Sequence, residues 1–266
     1  METTENGPVR YAVRDGAAHV TLDSPHNRNA VSSALLAGLR QALARAAAED
    51  SARVVVLGHT GGTFCAGADL GEAAGAADDP AEQAAERTRV FIGLLREIVA
   101  LPKPVIAVVD GHVRAGGMGL VGACDLALAG PGSTFALTES RLGLAASMIT
   151  LTLLPRMTSR AASRYMLSGE CFDAQTAEST GLVTEAVEDT GAALDALLRE
   201  FRACSPQGLR ENKELLTADL LERIDERGED LAARSARLFG TPEVHEGVLA
   251  FLERRPPAWA AGDGAG

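Results

Sequence analysis

The chain has 266 residues, of which 46% are hydrophobic and only 4% aromatic, and its formal net charge is −11. This length and apolar content suffice for one large α/β domain or two small ones. The negative charge argues against nucleic acid as a partner, since phosphate binding needs a basic surface, and no uncharged apolar run reaches the ~18 residues of a membrane-spanning helix.

The first half of the chain alternates between predicted strands and helices. Residues 9–14 and 18–23 alternate between apolar and polar side chains, which predicts a hairpin with an Asp-Gly turn. Ser32 or Ser33 is expected to cap a helix. The Gly- and Ala-rich stretch 71–80 predicts a loop. Further strands are predicted over 53–57, 105–109 and 125–129, and further helices around 91–99 and over 117–122.

The second half is mostly helical in its periodicity. A last strand is predicted over 182–187. Helices are predicted over 194–204, 208–217, 220–238 and 242–251. The pattern indicates the α/β class, with an α/β core over residues 1–200 and a helical C-terminal extension over 201–266.

The cysteines and histidines bear on compartment and metal binding. The four cysteines are widely spaced and form no C-x-x-C pair, which favours reduced thiols and a cytoplasmic protein. The acidic, polar N-terminus does not have the features of a signal peptide. The five histidines lack metal-ligand spacing, so we predict no metal site.

Two glycine-rich loops each follow an apolar, β-type run. The first, 61–70, reads Gly-Gly-Thr-Phe-Cys-Ala-Gly-Ala-Asp-Leu, and the second, 110–120, reads Asp-Gly-His-Val-Arg-Ala-Gly-Gly-Met-Gly-Leu. Glycine lets the backbone approach a ligand and leaves N–H groups free to point at it. Two such loops can supply two donors to one oxygen, as in an oxyanion hole. Because Glu139 follows in an apolar stretch, the pattern favours proton chemistry beside an activated carbonyl.

The second loop also permits a different interpretation. Residues 117–122, Gly-Met-Gly-Leu-Val-Gly, match the G-x-G-x-x-G pattern of dinucleotide-binding loops. The glycines do not follow the strand directly, however, and the next predicted strand begins too soon for a crossover helix. A nicotinamide-binding oxidoreductase therefore ranks below the interpretations that follow.

Three segments together carry a resemblance to a known family. They are Phe-Cys-Ala-Gly-Ala-Asp-Leu at 64–70, the glycine-rich segment 110–125 and Phe-Ala-Leu-Thr-Glu-Ser-Arg-Leu-Gly at 135–143. They resemble the two signatures and the catalytic-glutamate segment of the crotonase (enoyl-CoA hydratase/isomerase) superfamily. Residues 27–32 resemble the early loop that meets coenzyme A, and the resemblance extends from about residue 9 to residue 251.

The resemblance implies a crotonase-like core of repeated ββα units and an acyl-CoA thioester as substrate, with coenzyme A entering as part of that substrate and no separate cofactor. It implies a homotrimer or a dimer of trimers, with 201–266 as the trimerisation region. Glu139 would be the general acid/base, and the N–H groups of Ala66 and Gly116 would bind the thioester oxygen. The other substrate-binding positions that it implies are Arg28, Ala30, Gly67, Ala68, Asp69, Leu70 and Gly119.

Two of these positions have an alternative explanation from the residue type alone. Asp69 is a favoured helix N-cap residue, and we prefer that role for its carboxylate. Arg28 fits a contact with a coenzyme A phosphate and a solvated loop arginine equally well.

The chain departs from well-studied hydratases at one catalytic position. Those enzymes carry two glutamates that hold the attacking water; the second aligns with Glu139, whereas the first aligns with Gly119. The chain resembles a bacterial single-glutamate group that is similar to methylglutaconyl-CoA hydratases. The resemblance thus implies a lyase of fatty acid metabolism that hydrates an α,β-unsaturated acyl-CoA through an oxyanion-stabilised enolate. The alternatives are an enoyl-CoA double-bond isomerase that uses the single glutamate and a catalytically silent CoA-ester-binding subunit.

Overall fold

The computed structural model describes residues 7–73 and 80–260, which form two β-sheets surrounded by helices. The strands are β1 (Val9–Arg14), β2 (Ala17–Leu22), β3 (Val54–His59), β4 (Thr63–Cys65), β5 (Val105–Val109), β6 (His112–Arg114), β7 (Leu126–Ala129), β8 (Thr134–Ala136), β9 (Phe172–Asp173) and β10 (Glu185–Ala186). The helices are α1 (Ser33–Ala48), α2 (Leu70–Ala73), α3 (Pro80–Ala100), α4 (Gly116–Ala123), α5 (Thr150–Leu153), α6 (Ser159–Ser168), α7 (Ala174–Ser179), α8 (Thr190–Ala203), α9 (Pro206–Phe239) and α10 (Pro242–Leu252).

The two sheets divide the strands of each repeat between them. In the described residues the large sheet has the order β1-β2-β3-β5-β7-β10, and the small sheet has the order β4-β6-β8-β9. The first strands of the three repeats, β3, β5 and β7, pair in parallel in the large sheet. The second strands, β4, β6 and β8, pair in parallel in the small sheet. This arrangement confirms the predicted α/β fold of repeated ββα units.

Local sequence explains where several elements begin and turn. Asp15 and Gly16 both have positive φ angles, of 53° and 74°, as the tight β1–β2 hairpin requires. The hydroxyl of Ser32 accepts the N–H of Leu35 at 3.2 Å and caps α1. The central strands β3 and β5 are apolar along most of their length because both faces of a parallel sheet are covered.

The structure differs from the predicted elements in several places. The predicted loop 71–80 begins within α2 and ends at the first residue of α3. Residues 74–79 of this loop lie outside the described residues. The last strand is only two residues long. The two helices predicted over 208–217 and 220–238 are one 34-residue helix, α9, because Ala and Asp at the proposed break do not interrupt a helix. The proposed boundary between residues 200 and 201 also falls inside α8.

Helix α9 is tied to the core by a buried ion pair. The Lys213 ammonium lies 2.8 Å from Asp125 Oδ2, and its side chain is only 5% exposed. It also donates to the carbonyl oxygens of Ile98 and Lys103, at 3.1 and 2.9 Å. Asp125 in turn accepts the N–H of Val105, the first residue of β5, at 2.7 Å. Burial lowers the pKa of Lys213, and Asp125 opposes that shift. The pair therefore joins α9, the end of α3 and the start of β5.

Loss of the Lys213 charge should destabilise the fold strongly. In Lys213→Met the carboxylate of Asp125, which is only 18% exposed, loses its cation, and breaking a buried pair in this way typically costs about 3–5 kcal/mol. Urea unfolding followed by circular dichroism measures the loss. Arg210→Met on the same helix removes an exposed pair with Glu211 and should change stability by at most about 0.5 kcal/mol. Equal midpoints for the two variants would show that the buried pair does not secure α9.

Candidate active site

The three site loops leave the same edge of the small sheet. Strand β4 runs into residues 66–69, β6 into Ala115 and Gly116, and β8 into Thr138 and Glu139. Because the carboxyl ends of parallel strands lie at one edge, the three loops converge there. Ala66, Ala68, Gly116 and Glu139 accordingly line one cavity of about 120 Å³.

Close contact between the two glycine loops depends on Gly67. Its φ angle is +88°, and a Cβ atom at this position would lie 2.8 Å from the Cβ of Ala115. A residue with a side chain could not occupy this position without moving the second loop. Gly67 also accepts the N–H of Val31 through its carbonyl oxygen at 2.7 Å, which joins the early loop to the first glycine loop.

The hydrogen bonds of the first loop correct the prediction for Ala66. The N–H of Ala66 donates to the carbonyl oxygen of Arg28 at 3.1 Å, so it is already used inside the protein. The N–H of Ala68, two residues further on, makes no hydrogen bond to any residue that the structure describes. Ala68 is therefore the better candidate for an oxyanion donor, although both residues line the cavity.

The second loop presents the start of a buried helix to the cavity. Ala115 has a φ angle of 45° and a ψ angle of −115°, a strained conformation for a residue with a side chain. Gly116 follows as the first residue of α4, and its N–H is unbonded within the described chain. The N-terminal end of a helix carries partial positive charge. At the other end, Arg156 donates to the carbonyl oxygens of Gly122 and Cys124, at 3.2 and 3.1 Å.

Glu139 is a buried carboxyl group, one oxygen of which has no hydrogen-bond partner in the described part of the chain. It begins a short 3₁₀ helix, Glu139–Leu142, directly after β8, and the residue is 9% exposed. Its Oε2 atom is buried and has no hydrogen-bond partner among the described residues. Burial raises the pKa of Glu139 to about 7. A carboxyl group with this pKa can both accept and donate a proton at neutral pH, as general acid–base catalysis requires.

Gly119 does not contact the cavity, contrary to the prediction. A Cβ atom there would lie 2.7 Å from Ile149 Cγ2 and 3.5 Å from Phe91 Cε1. Hydrocarbon therefore fills the direction in which a second carboxylate on α4 would extend. The oxygen of Gly119 accepts the hydroxyl of Thr152 at 3.0 Å, which holds the following segment against α4.

Asp69 and Ala30 are two further residues predicted to bind the substrate. Asp69 caps α2, since its Oδ1 atom accepts the N–H groups of Gly71 and Glu72 at 3.0 and 3.3 Å, and the preferred N-cap role is confirmed. Ala30 is buried and does not line the cavity, whereas its neighbour Val31 lines an apolar extension of that cavity.

The last two predicted substrate-binding residues are Arg28 and Leu70. The Arg28 side chain is exposed and makes no hydrogen bond or ion pair with a described residue. Leu70 is the first residue of α2.

Sequence reasoning missed Asn29, which fixes the early loop. Its side chain accepts the N–H of Ser24 at 2.7 Å and donates to the carbonyl oxygens of Thr60 and Thr63, at 3.1 and 2.8 Å. Asn29 is fully buried and has a φ angle of 53°, which asparagine tolerates better than most residues. The only sign of this role in the sequence is the presence of an asparagine between two loop segments.

An apolar extension continues the cavity away from Glu139. Its walls come from α1, α3, α9 and the segments that precede α1 and α5, and include Val31, Leu36, Ala84, Phe91, Met148 and Phe239. Gly116 and Ser235 line both parts, so the two form one cleft. The sequence did not predict that α9 contributes to it. An extended apolar group can lie in this part of the cleft while a polar group lies beside Glu139.

Other chemistries find little support in this cleft. Burial raises the pKa of the Cys65 thiol to about 12, which keeps it protonated and poorly nucleophilic. Among the described residues, no group of three His, Cys, Asp or Glu side chains is placed to hold a metal ion. Within the same residues, no helix is both long and apolar enough to cross a membrane.

Ionisation of Glu139 should destabilise the folded protein. The pKa of this carboxyl is higher in the folded protein than its ordinary value of 4.5, so folding favours the protonated form. The cost is absent below pH 4.5 and complete above about pH 7, where the pKa difference corresponds to about 3 kcal/mol. Glu139→Gln should therefore unfold at a higher urea concentration than the unmodified protein at pH 8.5 and at a similar one at pH 4.5.

Glu214→Gln, at an exposed position of α9, is the control for that measurement. Its stability difference should be small and the same at both pH values. A Glu139→Gln difference that does not change with pH would contradict a raised pKa at Glu139.

Comparison with known proteins shows the family of the chain. The family model for enoyl-CoA hydratase/isomerase matches residues 13–262. An enoyl-CoA hydratase structure from Mycobacterium avium is 53% identical with a TM-score of 0.89, covering 96% of this chain and 99% of that one. One from Mycobacterium smegmatis is 31% identical with a TM-score of 0.75, covering 96% and 99%. The mevalonyl-coenzyme A hydratase of Aspergillus fumigatus is 31% identical over 90% of each chain. The chain belongs to the enoyl-CoA hydratase/isomerase family.

Proposed function

We propose that the protein is an enoyl-CoA hydratase-like lyase, which adds water to an α,β-unsaturated acyl-CoA thioester. The observation that carries the proposal is a buried carboxyl with a pKa of about 7, in one cavity with two unbonded backbone N–H groups. The names of the relatives support hydration rather than double-bond isomerisation. A catalytically silent subunit would have no need of such a carboxyl.

The reaction can be written with Glu139 as the only ionisable participant. The thioester oxygen accepts the N–H groups of Ala68 and Gly116. As the water oxygen bonds to the β-carbon, a water proton passes to the Glu139 carboxylate. The π electrons of the double bond move towards the thioester and give an enolate, whose charge lies on the oxygen held by the two N–H groups. Glu139 then returns the proton to the α-carbon, which yields a 3-hydroxyacyl-CoA.

The remaining features of the proposal concern binding and assembly. Coenzyme A enters as part of the substrate, and we assign Arg28 a contact with one of its phosphates because its exposed side chain makes no hydrogen bond or ion pair with a described residue. The free cysteines support a cytoplasmic location. We also propose a homotrimer or a dimer of trimers that acts in fatty acid metabolism. Exposed leucines on α6 and α9 support an assembly, since Leu167, Leu215 and Leu216 are each about 80% exposed.

Hydration should depend on the ionised form of Glu139. Crotonyl-CoA and longer enoyl-CoA esters are incubated with the protein, the loss of the enoyl absorbance is followed, and the 3-hydroxyacyl product is identified. Glu139→Gln removes the base and should lower kcat roughly 10²–10⁴-fold. Because water gives its proton to the carboxylate, kcat/KM of the unmodified protein should rise with pH through about 7. An active Gln variant would remove Glu139 from the mechanism.

The oxyanion donors can be distinguished by single-atom changes. Lactic acid in place of Ala68 substitutes an ester for the amide and deletes one N–H without changing the side chain. This change should lower kcat roughly 10²–10³-fold. The same change at Ala66 deletes the hydrogen bond to Arg28, so it should cost about 1 kcal/mol of stability and much less turnover. The opposite ranking would restore Ala66 as the donor.

A further inference from the structure

The unpartnered oxygen of Glu139 indicates a bound molecule in the cavity. Buried polar atoms in folded proteins almost always have a hydrogen-bond partner, and water supplies it where protein does not. Glu139 Oε2 is buried, has no partner in the described chain, and belongs to a residue that lines a cavity. A small polar molecule held there needs a second contact to fix its orientation.

Helix α4 cannot supply that second contact. The direction of a side chain from Gly119 is occupied by Ile149, whose Cγ2 atom is within 2.7 Å of the position of a Cβ. The segment that carries Ile149 is fixed in place, because Thr152 donates to the oxygen of Gly119. Any polar group that takes the place of a second carboxylate must therefore come from another part of the cavity wall.

Ser147 lies on the same segment, two residues before Ile149. The residue is 6% exposed and lines the cavity of Glu139. Within residues 7–73 and 80–260 its hydroxyl makes one hydrogen bond, to the carbonyl oxygen of Ala145 at 3.4 Å, which is a long one. The oxygen of this hydroxyl is thus free to accept a hydrogen bond from a molecule in the cavity.

Two other hydroxyl groups line the cavity, those of Thr138 and Ser235. Both residues are half-exposed, so bulk water can reach them. Neither belongs to the segment that covers Gly119. Because Ser147 is buried, its hydroxyl depends more than the other two on a hydrogen-bond partner inside the cavity.

We propose that Ser147 Oγ and Glu139 Oε2 hold the attacking water between them, so that a hydroxyl replaces the second carboxylate of two-glutamate hydratases. This inference rests on the proposed function. One O–H of the water donates to Glu139 and is the proton that moves during addition. The other O–H donates to Ser147 Oγ, which stays neutral throughout and leaves a lone pair of the water directed at the β-carbon.

Two reactions separate this role from a structural one. Hydration of crotonyl-CoA needs the bound water. Exchange of the α-protons of butyryl-CoA with D₂O needs Glu139 and the oxyanion donors but no addition of water. Ser147→Ala should lower kcat for hydration roughly tenfold, the loss of one hydrogen bond to the reacting water, with little change in KM. Its α-proton exchange rate should stay close to that of the unmodified protein, whereas Glu139→Gln should lose both reactions.

The possible outcomes distinguish the two proposals. Hydration at the unmodified rate in Ser147→Ala would overturn the role of Ser147, and so would a loss seen in Ser235→Ala instead. A parallel fall of both reactions in Ser147→Ala, with a lower melting temperature, would show that Ser147 is only structural. Failure of the unmodified protein to hydrate any enoyl-CoA, while α-proton exchange proceeds, would instead refute the proposed hydratase function.

Discussion

The parallel alignment of β4, β6 and β8 is the constraint on which the site depends. Because these strands end at one edge, the loops that follow them must meet, and no long-range side-chain contact is needed to bring them together. Two of the groups delivered are backbone N–H groups, whose positions are set by the path of the chain. The third loop delivers a side chain, the carboxyl group of Glu139. The path of the chain therefore sets where the two N–H groups lie, whereas the carboxyl group depends on the identity of one residue.

The surroundings of Glu139 favour reactivity over stability. Burial removes water from this carboxyl group and makes it easier to protonate, so near neutral pH it can both accept and release a proton. The same burial opposes folding at neutral pH. Strong interactions away from the cavity, such as the Lys213–Asp125 pair, offset costs of this kind.

The family resemblance implied the repeated units and the Glu139 segment because the motifs that carry it depend on residue type and order. It could not give the direction of each N–H in the first loop. Along an extended chain, successive N–H groups point in opposite directions. The positive φ angle of Gly67 interrupts this alternation between Ala66 and Ala68. It also could not show that Ile149 covers Gly119, since the two residues are far apart in the chain. The contribution of α9 to the cleft was missed for the same reason.

The orientation of helix α9 affects the width of the apolar part of the cleft. The helix is pinned at Lys213, while Phe239, which lines the cleft, lies 26 residues further on, or roughly 39 Å at 1.5 Å per residue. A tilt of about 2° at the pin would displace Phe239 by about 1 Å. The ion pairs of Asp225 and Glu229 with Arg96 and Arg89 on α3 lie between these points and resist such a tilt. Substitutions along the contact between α3 and α9 can therefore widen or narrow the apolar part of the cleft without any change beside Glu139.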